Sequence, residues 1–238
     1  MNEQDDFEVL ATAYLDELVT PDTDLWIGVF ERLSNEFVLR AARGTSPAAS
    51  TKKWAVPISL HNQGLGEIRI EESSATAIDR VLIEKLAAQL APLFAWQNAP
   101  WSARLKALSK ILELQVKNPC FDWVGIYRVT GDLDRRLDLS VYLGTPTTHT
   151  RISVNEGICG AAIREEKTMN IPQVQSDPRF IACSLETQSE LVVPIRDMNG
   201  RVVAEIDIDS NTPEAFTPTL TAKVEACALK IEQIPELF

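Results

Sequence analysis

Two histidines, four cysteines and no basic cluster limit what this 238-residue chain can do before any motif is considered. Lys and Arg total 23 against 34 Asp and Glu, a formal net charge of −11, and no local run of basic residues overrides it. Such a chain repels phosphate backbones, so nucleic acid is not an expected partner. No apolar stretch approaches the length of a membrane span, and no membrane partner is expected. The opening MNEQDDFEVL has neither the basic n-region nor the apolar run of a secretory signal. Cys120, Cys159, Cys183 and Cys227 without such a signal read as free thiols, and the expected location is cytoplasmic. Their spacing contains no C-x-x-C, so no metal site is signalled. Hydrophobic residues at 45% and charged residues at 24% are ordinary for a soluble globular protein of one large or two modest domains.

What is present is a phrase stated twice. DLWIGVF (24–30) resembles DWVGIY (122–127), and LRAARGTSP (39–47) resembles LSVYLGTP (139–146). AVPISLHNQGLGEIRIEE (55–72) then resembles VVPIRDMNGRVVAEIDIDS (192–210), each a V-P-I strand, an Asn/Gly turn and an E-I-x-I strand. His61 falls in the first of those turns and reads as a turn residue. Three matches in one order indicate a degenerate tandem, with a truncated copy over 1–98 and a fuller one over 99–238. Between the Gly-Thr turn and the V-P-I strand the first copy has only SPAASTKKWA, whereas the second has about 45 residues there, with EGICGAAIREE and DPRFIACS among them. Apolar periodicity predicts helices over 5–19, 76–97 (with Pro92 inside), 101–117 (Ser102 a candidate cap) and 217–234 (Thr217 cap, Pro218 at the first position). Cys227 falls on the apolar stripe of the last helix, and Cys120, beside Phe121, reads as another packed thiol. Helices framing antiparallel hairpins give an α+β class.

The chemistry-bearing residues all lie in the second copy. Cys159 stands between Gly157 and Gly160 just before AAIREE, where a helix dipole would favour thiolate. Cys183 lies in a loop without the periodicity that would bury it. Glu190 begins a strand, and alternation puts Asp207 and Asp209 on one face of another, opposite Ile206 and Ile208. Each has an ordinary alternative: a turn-packing thiol, an inert loop thiol, solvated carboxylates. The set of two thiols, three carboxylates and an aromatic strand points toward a site.

Taken together, GICG (157–160), FIAC (180–183), SE (189–190), IDIDS (206–210) and the strand bearing Trp123, Gly125 and Tyr127 resemble GAF domains, in particular the branch of free methionine-(R)-sulfoxide reductases. The resemblance covers about 100–238 and implies a GAF-like antiparallel sheet flanked by helices. It implies Cys183 as the thiolate attacking sulfur and Cys159 as the resolving thiol. Glu190, Asp207, Asp209, Trp123 and Tyr127 would then be substrate-binding residues. The implied reaction reduces free L-methionine-(R)-S-oxide with no bound cofactor, and a thioredoxin-type dithiol recycles the enzyme. In one departure, a further cysteine of the family falls on His149; in another, Ser184 follows the reactive cysteine where Asp is common. A metal set of His149, Cys159, Cys183 and Glu190 matches no familiar spacing, and none is expected. The alternative to an enzyme is a non-catalytic GAF module for small-molecule sensing or docking. The first copy, lacking cysteine and carrying Arg69 and Glu71 where the second has its aspartates, is expected to hold no site. Either a homodimer or an intramolecular pseudo-dimer is compatible with this arrangement.

Overall fold

Leu25, Ile27 and Val29 point inward from β1 (Leu25–Leu33), as alternate residues must when one strand face leaves water. In the computed structural model, which describes residues 8–16, 25–44, 52–73, 78–181 and 184–238, this strand belongs to the first of two compact units, Met1–Gln97 and Asn98–Phe238. With β2 (Glu36–Gly44), β3 (Lys52–Leu60) and β4 (Gln63–Glu72) it forms an antiparallel sheet in the order β2-β1-β4-β3. His61 and Asn62, with φ of 48° and 64° between the paired Leu60 and Gln63, make the two-residue turn of the β3–β4 hairpin. α1 (Arg80–Ala95) packs on β3 and β4 through Ile83, Leu86, Leu90 and Phe94. It starts later than the expected 76 because Asp79 caps it, accepting from the Val81 N–H at 2.9 Å; residues 76 and 77 lie outside the described residues. Pro92 is accommodated inside α1. Of the helix expected over 5–19, residues 8–16 are described, and Ala11–Leu15 are π-helical.

The second unit contains α2 (Trp101–Lys117), β5 (Trp123–Thr130), β6 (Arg136–Leu143), β7 (Arg151–Ser153), α3 (Gly157–Glu165), β8 (Met169–Ile171), β9 (Ser189–Arg196), β10 (Val202–Ser210) and α4 (Pro218–Glu232). Its strands form one antiparallel sheet in the order β7-β6-β5-β10-β9-β8. α2 and α4 pack on each other and on the sheet, while α3 lies against β9 and β10. Pro100 precedes α2 and no side chain caps it; the expected cap, Ser102, sits inside the first turn. At α4 the expectation holds: Leu220 N–H donates to Thr217 Oγ1 at 3.3 Å, with Pro218 opening the helix. Cys227 is buried on the α4 stripe with Val224, Ala228 and Ile231, and Cys120 is half-buried. The architecture is α+β, antiparallel sheets with helices packed on them. Among the described residues no helix is long and apolar enough to cross a membrane.

The repeated phrases occupy corresponding strands. The order β2-β1-β4-β3 in one sheet is matched by β6-β5-β10-β9 in the other. A bulge follows Gly28 by one residue in β1 (Val29/Phe30) and Gly125 by one residue in β5 (Ile126/Tyr127). Both glycines face the tryptophan two residues earlier, and a Cβ at either would overlap that ring. Gly125 and Trp123 pair with Asp207 and Asp209, whereas Gly28 and Trp26 pair with Arg69 and Glu71. Arg69 is ion-paired to Glu67 and lies over the Phe30 ring, 4.0 Å from its centroid.

Candidate active site

Alternation along β10 sends Ile206 and Ile208 to one face and Glu205, Asp207 and Asp209 to the other. On β9, Glu190 pairs with Asp209. The isoleucines are buried as expected, but so are the carboxylates: Glu205 is 0% exposed, Asp207 3%, Glu190 6% and Asp209 6%. Carboxylates are almost never buried this fully without a partner, and among the described residues no Lys, Arg or His forms an ion pair with these four. Glu205 accepts no geometrically well-formed hydrogen bond at either oxygen, and Asp207 Oδ1 accepts none.

α3 begins at Gly157, so Cys159 lies in its first turn rather than before it. Its Sγ is 3.9 Å from Glu190 Oε1, and ligand atoms of Cys159, Glu190 and Asp207 lie within 4.8 Å of one another. The expected lowering of this thiol's pKa by the helix dipole is overturned. Burial, and then the carboxylates of Asp207, Glu205 and Glu190, push it well up, because loss of hydration and nearby negative charge outweigh a partial positive charge at a helix end. Burial likewise raises Asp207, to about 7. Glu190 is raised by burial and then by Asp207 and Asp209, and Asp209 by burial and then by Asp207. Glu205 rises for the same two reasons, burial and Asp207. Near neutrality this cluster holds protons.

A cavity of about 190 Å³ opens over the cluster, lined by Cys159, Glu190, Asp207 and Asp209 below and by His149, Ile158 and Ile181 around. A second cavity of about 150 Å³ shares Asp209 and is walled by Trp123, Thr145, Thr147 and Ser184. Trp123 stacks on Tyr142 with ring centroids 5.6 Å apart, which fixes its plane. Glu156 precedes α3 without a side-chain cap, so the first amides of the helix, at Gly157 and Ile158, have no capping side chain where they line the first cavity. Cys183 lies outside the described residues; Ile181 lines the first cavity and Ser184 the second.

The structure thus gathers Cys159, Glu190, Asp207 and Asp209 in one cavity and places Trp123 in its neighbour. It does not bring Tyr127 to either. Tyr127 pairs with Glu205 at the end of the sheet covered by α3, where it is 0% exposed. Its hydroxyl donates to the His149 carbonyl at 2.7 Å, so it positions the loop that carries a cavity residue. Glu205 was not among the expected site residues, although the alternation that selected Asp207 and Asp209 selects it as well.

Residues 104–234 match the GAF domain family. The free methionine-R-sulfoxide reductase of Saccharomyces cerevisiae is 32% identical over 118 residues, 49% of this chain and 65% of that protein. The solved type II free methionine-R-sulfoxide reductase of Thermoplasma acidophilum superposes with a TM-score of 0.53 at 34% identity, over 57% of this chain and 92% of that one. The Neisseria meningitidis free methionine-R-sulfoxide reductase, solved in complex with its substrate, gives 0.51 at 28% identity, over 68% and 93%. The chain spans 58–65% of the length of the first curated relatives it matches.

Proposed function

The chain belongs to the GAF domain family, and from that premise we propose that its second unit reduces free L-methionine-(R)-S-oxide to methionine. The observation that carries this is the buried carboxylate cluster against the Cys159 thiol, in a cavity that Ile181 also lines. In the proposed reaction the Cys183 thiolate attacks the sulfoxide sulfur, and carboxylic acids of the cluster protonate the oxygen. That oxygen passes to Cys183 as a sulfenic acid while methionine leaves. The Cys159 thiol then condenses with the sulfenic acid, releasing water and leaving a Cys159–Cys183 disulfide. A thioredoxin-type dithiol reduces the disulfide. Burial against acidic neighbours leaves Cys159 a poor first nucleophile, which supports Cys183 in the attacking role.

Four carboxylates this close cannot all ionise without a cation. An entering substrate ammonium would let some of them ionise, while the others keep the protons that the leaving oxygen needs. The uncapped amides of Gly157 and Ile158 suit the substrate carboxylate, and Trp123 suits its methyl end. The carboxylates and the uncapped amides favour a free amino acid over a residue within a peptide. NADPH oxidation coupled through thioredoxin reductase and thioredoxin tests this with racemic free methionine sulfoxide: consumption should stop at half the racemate and vanish in Cys183→Ser. Absence of turnover by the folded, reduced protein refutes it.

One observation favours a second reading. His149, at the position where the family resemblance implies a further cysteine, lines the cavity, and burial with acidic neighbours raises the Cys159 thiol's pKa. A binding module without turnover would show saturable binding of methionine sulfoxide in calorimetry and no NADPH consumption. For the first unit we propose a degenerate copy of the second that carries no site. Matching strand order, bulge position and Gly–Trp contacts support this, as does the pairing of Arg69 where the second unit has Asp207.

A further inference from the structure

The floor of the cavity brings together donors that can also ligate a metal ion. Cys159 Sγ and carboxylate oxygens of Glu190 and Asp207 lie within 4.8 Å of one another, all three residues buried. Asp207 faces the cavity, is 3% exposed, and has one oxygen without a partner among the described residues. Next to the thiol, Glu205 is fully buried with neither oxygen accepting a well-formed hydrogen bond. Ionising such buried carboxylates is costly without a cation, and no cationic side chain among the described residues ion-pairs with them. Arg151 lines the cavity but is ion-paired to Asp138, and Arg179 is ion-paired to Asp177; the floor itself includes a sulfur donor.

We propose that this floor binds a borderline-soft divalent cation of the zinc class, held by Cys159 Sγ, Glu190 and Asp207. The fourth position would face the cavity, and Glu205 would supply further negative charge next to the sulfur. Zinc bonds of about 2.3 Å to sulfur and about 2.1 Å to oxygen place tetrahedral donors about 3.5 Å apart. The observed separations therefore need to close by roughly 1 Å, within reach of side-chain rotation. A thiolate among few oxygens disfavours magnesium and calcium, which take six or more hard donors. Binding displaces to solvent the thiol proton and any proton held by Glu190 or Asp207, and forms metal–sulfur and metal–oxygen bonds with no change of oxidation state.

The site itself does not depend on the reductase reading; its consequence does. A cation there occupies the resolving thiol and two of the carboxylates assigned to the substrate, so metal and methionine sulfoxide exclude each other. Zinc becomes a reversible inhibitor.

Titration of the reduced, metal-free full chain with cadmium tests the site, because a cadmium–thiolate bond produces an ultraviolet charge-transfer band. One equivalent should saturate the band. It should disappear in Cys159→Ser, persist in Cys183→Ser, Cys120→Ser and Cys227→Ser, and require at least tenfold more cadmium in Asp207→Asn or Glu190→Gln. These last two variants decide the matter if Cys159→Ser fails to fold. No band, a band that survives Cys159→Ser, or unchanged affinity in both carboxylate variants overturns the proposal. A chain that turns over sulfoxide but gives no band loses only the metal site. One that gives the band without turnover loses only the reductase assignment.

Discussion

Asp207→Asn should make the protein more stable at alkaline pH while removing its activity. The Asp207 carboxyl is pushed from 3.8 to about 7, chiefly by burial, so its ionised form is penalised in the native state. Below the lower value both states hold the proton. As pH rises the unfolded chain loses it first, so native stability declines between about pH 4 and pH 7 and levels off above. The whole gap is worth about 4 kcal/mol, of which about 3 kcal/mol falls between pH 5 and pH 8. Asn has nearly the same shape and no proton to lose. It also removes the charge that helps raise Glu190, Glu205 and Asp209, which acts in the same direction. Urea unfolding of parent and variant at both pH values measures the difference. The variant should gain about 3 kcal/mol relative to the parent on going from pH 5 to pH 8, with turnover lost at both. A stability difference between variant and parent that does not change with pH, or one that moves in the parent's favour as pH rises, would refute the claim that Asp207 is a buried, proton-holding acid.

Cys159→Ser should release one equivalent of methionine per chain in a single turnover and then stop, because nothing condenses with the Cys183 sulfenic acid; sustained thioredoxin-dependent turnover would remove Cys159 from the resolving role. Gly125→Ala drives a methyl group into the Trp123 ring. It should cost about 1–3 kcal/mol in urea unfolding and raise KM by displacing the wall of the second cavity. Arg69→Ala removes a partly exposed ion pair and a cation–π contact in the first unit. It should cost less than about 1 kcal/mol and leave turnover unchanged, and a loss of turnover would contradict a siteless first unit.

The parts of the site that were legible in the sequence are those set by strand alternation and turn chemistry. The V-P-I hairpins, the shared face of Asp207 and Asp209 and the Thr217–Pro218 helix start all depend on neighbours within a few residues. The parts that were not legible depend on what covers a strand. Tyr127 has the same parity as Trp123, but it is fully buried in the cluster that α3 completes, whereas Trp123 is only partly buried and walls a cavity. Cys159 reverses its expected acidity for a related reason: the helix dipole is local and weak, while the carboxylates come from β9 and β10, 31 or more positions along the chain.

The contrast between the two units bears on which property would make the proposed site. Both strands, EIRIEE and EIDIDS, place a Glu and two further charged residues on one face, and both lie opposite a Trp-x-Gly strand. In the first unit Arg69 supplies a cation within the strand, and Glu67 is ion-paired to it. In the second the aspartate at that position leaves three strand carboxylates and Glu190 without an ion pair among the described residues, beside a segment that the first unit's shorter connection does not encode. A buried carboxylate face that is not neutralised from within must hold protons or take a cation from outside, and the proposed sulfoxide reduction of a zwitterionic amino acid would use both.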